Sequence, residues 1–248
     1  MSFYLQIAMC MFPLPLYSYL TSPFPIERGY PSTTTELAAI FHQPDFHELI
    51  RRFLFDQIHL DDPNAPSASE VPLTQCPPFN SKLSVYHSVT AMFYSPSDPS
   101  GLHGMCAEYI RSHPRWCKQT PWFDTAFVEH DATLPGVRGL DVVRLRALFS
   151  FVWRDDYYPC ALVRWFTHVA DDPDEVTGMW VVRPDTNADG SPAVGVIHLD
   201  LVLCAAHLLP VFGDSFMPIN LSPYQSLDTF ETYYINKYID YHAFEIAS

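Results

Sequence analysis

Histidines and acids close together in the chain are the residues best placed to do chemistry. His198-Leu-Asp200 followed by His207 is the most metal-like group. In a strand His198 and Asp200 point to one face, and two or three nitrogen and oxygen ligands suit a divalent ion. The reading preferred here is plainer: an edge histidine and an Asp capping the next turn, with no metal and no cofactor. Asp185-Thr-Asn187-Ala-Asp189-Gly190 opens like an EF-hand loop. Loop position 12, which needs a bidentate Glu, is Val196, and Pro192 occupies position 8, so a hairpin loop is expected. Asp171-Asp-Pro-Asp-Glu175 reads as a solvated turn, and His242-Ala-Phe-Glu245 as at most half a site. Nucleophilic chemistry finds little support. There is no G-x-S-x-G elbow and no Gly-rich phosphate loop, and the apolar neighbours of Cys160 predict an inert thiol.

Such residues need a scaffold, and the composition provides for one. The chain has 248 residues, 48% of them hydrophobic, enough to bury a real core. Its 18 Phe, 14 Tyr and 5 Trp exclude a disordered protein. Fourteen basic against 28 acidic residues give a net charge of −14, which opposes binding to duplex nucleic acid. Residues 1–121 hold 15 of the 23 Pro with 7 basic and 10 acidic residues; residues 122–248 hold 7 basic and 18 acidic, or about −11. A boundary near residue 120 follows. The six Cys include no C-x-x-C, so a reduced, intracellular chain is expected. The first 26 residues carry no charge, but Pro13, Pro15, Pro23 and Pro25 interrupt any membrane span. No Lys or Arg precedes the apolar stretch and no small-x-small site follows it, so residues 1–30 read as an unplaced, disordered start rather than a leader.

Thr33-Thr-Thr-Glu36 supplies helix-entry chemistry, and apolar spacing predicts helices over 36–42 and 45–56. Residues 61–69 read as a linker, 82–94 fit strand or helix, and 105–112 suggest a short helix. From residue 124 the pattern turns β-like, with strands expected at 125–129, 142–153, 157–169, 179–183, 194–203 and 208–212. In the second of these Val143, Leu145, Ala147, Phe149 and Phe151 alternate with Arg144, Arg146 and Ser150 on the opposite face. Arg154-Asp155-Asp156 marks a tight hairpin, and Ser226-Leu-Asp228 opens a Tyr-rich final helix. The fold class expected is α+β: a helical, Pro-rich region over 31–121, a small antiparallel barrel or curled sheet of five to six strands over 122–213, then a C-terminal helix over 214–248 packed on it.

Several ordered blocks carry a family resemblance. They are Tyr157-Tyr-Pro-Cys-Ala-Leu-Val-Arg-Trp-Phe166, Pro173-Asp-Glu-Val-Thr-Gly-Met-Trp-Val-Val182, Val196-Ile-His-Leu-Asp200 with Ala205-Ala-His-Leu-Leu-Pro-Val-Phe-Gly213, and Tyr234-Ile-Asn-Lys-Tyr-Ile-Asp-Tyr-His-Ala-Phe-Glu-Ile-Ala247. With Val85-Tyr-His-Ser, Tyr94-Ser-Pro-Ser-Asp-Pro-Ser-Gly101 and Ile110-Arg-Ser112 upstream, the chain resembles the C-terminal region of fungal Plavaka-type transposases, of the Kyakuja–Dileera–Zisupton superfamily, over roughly residues 45–247. The resemblance implies catalytic acids upstream of this region, so no catalytic residue is carried over and no enzyme activity is expected. The family pattern has Arg where this chain has Cys204 and Gly near Asp156, which weakens any DNA grip here.

What the resemblance implies is a non-catalytic structural or interaction module of a transposase-derived, nuclear protein. It would pack on the upstream catalytic core or self-associate, with no direct hold on nucleic acid and no membrane. Tyr157, Tyr158, Trp165, Trp180, Tyr234 and Tyr238 are the interaction-surface candidates, because aromatics are enriched at interfaces. Two rivals stand beside it. Tyr157, Tyr158, Trp165 and Trp180 could form an aromatic cage for a methylated Lys in a chromatin reader. His198, Asp200 and His207 could belong to a metal-dependent nuclease fragment; Val196-Ile-His-Leu-Asp200 resembles the first strand of a ribonuclease-H-like core, but only 48 residues follow Asp200.

Overall fold

A computed structural model describes residues 18–21, 26–62, 64–95, 104–116, 120–213 and 220–247. The expectation for residues 1–30 falls largely outside these. After strand β1 (Ser18–Thr21), helix α1 (Thr34–Phe41) begins where Thr33 accepts the Glu36 N–H and ends on His42, whose left-handed backbone (φ 54°) turns the chain into α2 (Phe46–Ile58). The loop after α2 is pinned from the helix. Arg51 donates to the carbonyls of Leu73, Cys76 and Pro77, and Arg52 to those of Ala68 and Val71.

The remaining elements are β2 (Leu83–Tyr86), β3 (Ser88–Tyr94), β4 (Met105–Trp116), β5 (Thr120–Phe123), β6 (Thr125–Glu129), β7 (Leu140–Trp153), β8 (Asp156–His168), β9 (Val181–Pro184), β10 (Val194–His198), β11 (Val202–Ala205), β12 (Leu208–Pro210), α3 (Ser226–Thr229), β13 (Tyr233–Ile235) and α4 (Tyr241–Ile246). The architecture is α+β, with every pairing antiparallel. One sheet runs β1-β3-β4-β5; a larger, curled one runs β11-β6-β7-β8-β9-β13-β12. Strands β6 and β2 take successive stretches of one edge of β7, and β9 and β10 do the same on β8. Because β2 pairs with β7, the larger sheet is continuous across the composition boundary near residue 120.

The β7–β8 hairpin is buried on both faces. One face packs on α1 and α2 through Phe46, Ile50, Phe149, Phe151, Cys160 and Leu162. The other packs on β3 and β4 through Leu145, Leu148, Ala161, Val163, Val89 and Ile110. Burial pushes the Cys160 and Cys204 thiols well above their usual range, and both are free. No helix among the described residues is long and apolar enough to cross a membrane.

Four local expectations need correcting. Residues 105–112 are strand: Cys106, Ile110 and Ser112 are buried with period two, and pairing to β3 overrides helix propensity. Residues 194–203 are not one strand, because a 3-10 turn at Leu199–Leu201 separates β10 from β11. The Tyr-rich segment is not one helix from Ser226: α3 is a single turn, β13 joins β9 and β12, and the C-terminal helix is α4. Finally, the odd-numbered apolar residues of β7 do not share a face. Leu145 opposes Val163 and Ala147 opposes Leu162, so Arg146 is the extra residue of a bulge. Val143 and Leu145 therefore face β3 and β4, while Ala147, Phe149 and Phe151 face the helices.

At the hairpin itself Trp153 pairs with Asp156, and Arg154 (φ 51°) and Asp155 (φ 69°) both lie in the left-handed region, as a primed two-residue turn demands. Asp155→Gly removes the cost of a Cβ in that region. It is expected to raise the unfolding midpoint, a gain of about 0.5–1 kcal/mol in chemical denaturation; an unchanged or lower midpoint contradicts this.

Candidate functional site

The bulge in β7 coincides with a break along its edge. Strand β6 pairs with residues 140–144 of β7 and β2 with residues 148–151, so the bulge at Arg146 lies between them. A cavity of about 410 Å³ adjoins this break. Val85 and Tyr86 of β2, Ser112 of β4, Phe123 of β5 and Arg144 and Arg146 of β7 line it, with Tyr30 and Phe41.

Three arginines meet here. Arg144 and Arg164 are directly opposed across β7 and β8, an arrangement that repels. Asp228 of α3 bridges them, accepting from Arg144 Nη1 at 2.8 Å and from Arg164 Nη1 at 3.3 Å. Arg144 has a side chain only 4% exposed, and its Nε, like that of Arg164, makes no hydrogen bond among the described residues. Arg146 has no carboxylate within salt-bridge distance among the described residues; it stacks over Phe123 at 5.1 Å, as Arg144 does at 5.9 Å. Burial, then the neighbouring Arg144 charge, push the Arg146 guanidinium below its usual pKa, with Asp228 opposing them. The buried Ser112 hydroxyl of the same wall also has no partner among the described residues.

On the same cavity lies a hydrogen-bonded chain. Glu27 contacts His87 Nδ1 at 3.2 Å, and His87 Nε2 meets the Tyr30 hydroxyl at 3.1 Å. Burial and the neighbouring His113 lower the His87 pKa, Glu27 resisting, while burial raises that of Tyr30. Together these walls can hold an anion against guanidinium and aromatic groups.

A second cavity, about 720 Å³, shares Phe123, Arg144 and Tyr224 with the first. Glu108, Asp124 and His207 stand in its wall. Glu108 accepts the Ala205 N–H, and Asp124 accepts from the Arg111 N–H and the Trp122 indole; burial still holds the Asp124 carboxyl above its usual range. His207 Nε2 lies 3.8 Å from Glu108, which raises the imidazole pKa against burial.

The candidates named from sequence are dispersed. His198 pairs with Asp200 at 3.4 Å where its Nδ1 caps the 3-10 turn, and burial lowers its pKa; His207 pairs with Glu108 instead. Among the described residues no group of three or more His, Cys, Asp or Glu could hold a metal ion. Residues 185–192 form a hairpin loop closed by the Thr186–Pro192 bridge, with Asp189 accepting from Ser191. Asp174 is likewise used within its turn, by Thr177, and His242 is buried against Phe93.

Of the aromatics, Trp180 is buried beneath Arg138 and beside His168, and Trp165 is half-buried over Gly195. Tyr158 stacks on Phe151, and Tyr234 is half-buried in β13. Tyr157 and Tyr238 are exposed, Tyr238 donating to the Thr177 carbonyl. Tyr157 and Tyr158 are successive in a strand and so face opposite ways, and none of the four proposed cage residues lines either cavity. Sequence reasoning missed the arginine site. Two Arg inside Val142-Val-Arg-Leu-Arg-Ala-Leu-Phe149 were its only local signal; Asp228, Tyr30 and His87 come from distant segments.

Comparison with protein-family models, curated proteins and solved structures finds no match for this chain.

The Glu108–His207 pair has a pH signature. A raised folded pKa means stabilisation that is present below the unfolded value near 6.5 and lost as pH rises through the folded value. Glu108→Gln keeps an acceptor for the Ala205 N–H but removes the charge. It should destabilise more at about pH 5.5 than at about pH 8.5 and lower the His207 pKa by NMR titration; an equal loss at both pH values refutes the pairing.

Proposed function

We propose that the chain is a non-catalytic structural and interaction module of a transposase-derived, nuclear protein, packing on the catalytic core of such an enzyme or pairing its subunits. The sequence blocks given above supply the family part of this reading. The observation that carries the interaction part is an aromatic band on β4 and β5. Tyr109 is 52%, Trp116 38% and Trp122 47% exposed, whereas Trp180 is buried. Arg111 lies over the Tyr109 ring at 5.8 Å and over that of Trp116 at 5.1 Å. Solvent-facing aromatics beside an arginine have the composition of a protein–protein interface centre.

Two neighbouring features support the same surface. Strand β5 ends the smaller sheet, so it offers backbone groups to an incoming strand. The larger cavity opens beside it, with Tyr109, Arg111 and Trp122 in its wall. The acidic charge of residues 122–248 favours a protein partner over duplex DNA.

Size-exclusion chromatography with light scattering tests this on the full chain, alone and mixed with the catalytic region of a Plavaka-type transposase. A dimer or a mixed complex is expected, and Trp116→Ala with Trp122→Ala should dissolve it while circular dichroism stays unchanged. A folded monomer that binds neither partner overturns the proposal.

A further inference from the structure

We infer that the cavity at the β7 bulge is a binding site for a small organic oxyanion, a phosphate or carboxylate carried on a flat apolar body. The first ground is charge. Arg144, Arg146 and Arg164 converge, and among the described residues Asp228, which accepts from Arg144 and Arg164, is the one carboxylate paired with any of them, an excess there of two positive charges at a largely buried place. A guanidinium removed from water without a counter-charge is costly, and a bound oxyanion supplies the missing partner. The second ground is unspent hydrogen bonding. Arg144 and Ser112 line the cavity, and the Arg144 Nε and Ser112 hydroxyl are buried donors with no partner among the described residues, whereas most buried polar groups in proteins are satisfied.

The third ground is shape. Two arginines stand over the Phe123 ring, and Tyr30, Phe41, Val85 and Tyr86 give the wall an apolar and aromatic side beside its polar groups His87, Gln225 and Asp228. A free inorganic ion would leave that wall uncovered, and the volume of about 410 Å³ falls in the range of small-molecule sites. The location fits as well. Bulges re-aim side chains beside functional sites, and this one places an arginine where the edge of β7 is unpaired. The inference concerns different residues from the aromatic band, so either can fail without the other.

Calorimetric titration and thermal shift of the full chain with phenyl phosphate, benzoate, inorganic phosphate and uncharged phenol decide it. Phenyl phosphate or benzoate should bind saturably and raise the melting temperature as its concentration grows. Inorganic phosphate should bind at least about tenfold more weakly, and phenol not at all. Arg146→Gln should weaken the organic anion at least about tenfold while leaving the ligand-free protein as stable or more so, because it relieves a desolvated cation. Asp228→Asn removes the competing carboxylate and should tighten binding by about tenfold. Absence of saturable binding by either organic anion overturns the proposal. So does undiminished binding by Arg146→Gln, unchanged or weaker binding by Asp228→Asn, or inorganic phosphate binding as tightly as phenyl phosphate.

Discussion

One extra residue in the longest strand sets much of the rest. Up to Leu145 the odd-numbered side chains of β7 face the smaller sheet; beyond Arg146 they face the helices. A strand with one solvated face could absorb such a flip by exposing a few side chains. Here both faces are buried, so the flip must match cores of different make-up on either side, and register slips by one residue are excluded. Phe149 and Phe151 meet Phe46 and Phe53 of α2 because of that shift, at ring separations of 5.2 and 6.5 Å. The same insertion falls between the stretches of β7 paired to β6 and β2, where the arginine cavity adjoins the sheet.

The cations are not spread as the net charge suggests. Only seven basic residues lie in residues 122–248, and three of them, Arg144, Arg146 and Arg164, meet around one carboxylate. Asp228 thereby fastens the C-terminal segment to the central hairpin, since it bridges two guanidinium groups that directly oppose one another. A strongly acidic protein thus keeps a cationic interior site. Its surface repels polyphosphate, while a small anion that enters the cavity meets positive charge in a medium of low dielectric.

The two cavities are neighbours by construction. Phe123 and Arg144 stand between them, so the arginine site and the Glu108–His207 groove share a wall. Asp124 follows Phe123 directly. Its backbone links β4 to β7, its N–H donating to the Arg111 carbonyl and its carbonyl accepting from the Leu145 N–H. The aromatic band of β4 and β5 is built on this junction, with the Trp122 indole held by the Asp124 carboxylate.

Local patterning alone determined the two helices, most strands of the β-rich region, the Arg154-Asp155 turn and the burial of Cys160 among apolar neighbours, because each depends on residues close in the chain. Periodicity also gave the α+β class. Only the tertiary structure decided the rest. The position of the bulge cannot be read from Val142–Trp153, where apolar Val142, Leu148 and Val152 interrupt the alternation without marking an insertion; which residue is extra depends on how β7 registers against β8. Residues 105–112 became strand through pairing with β3, and Tyr233–Ile235 through pairing with β9 and β12, since a partner ladder outweighs modest helix propensity. The cavity joins Tyr30, His87, Ser112, Arg144 and Asp228 across some 200 residues of chain. Spacing in a sequence can mark groups brought together by one helix or strand. It cannot mark groups brought together by two sheets and a C-terminal turn closing on the same gap.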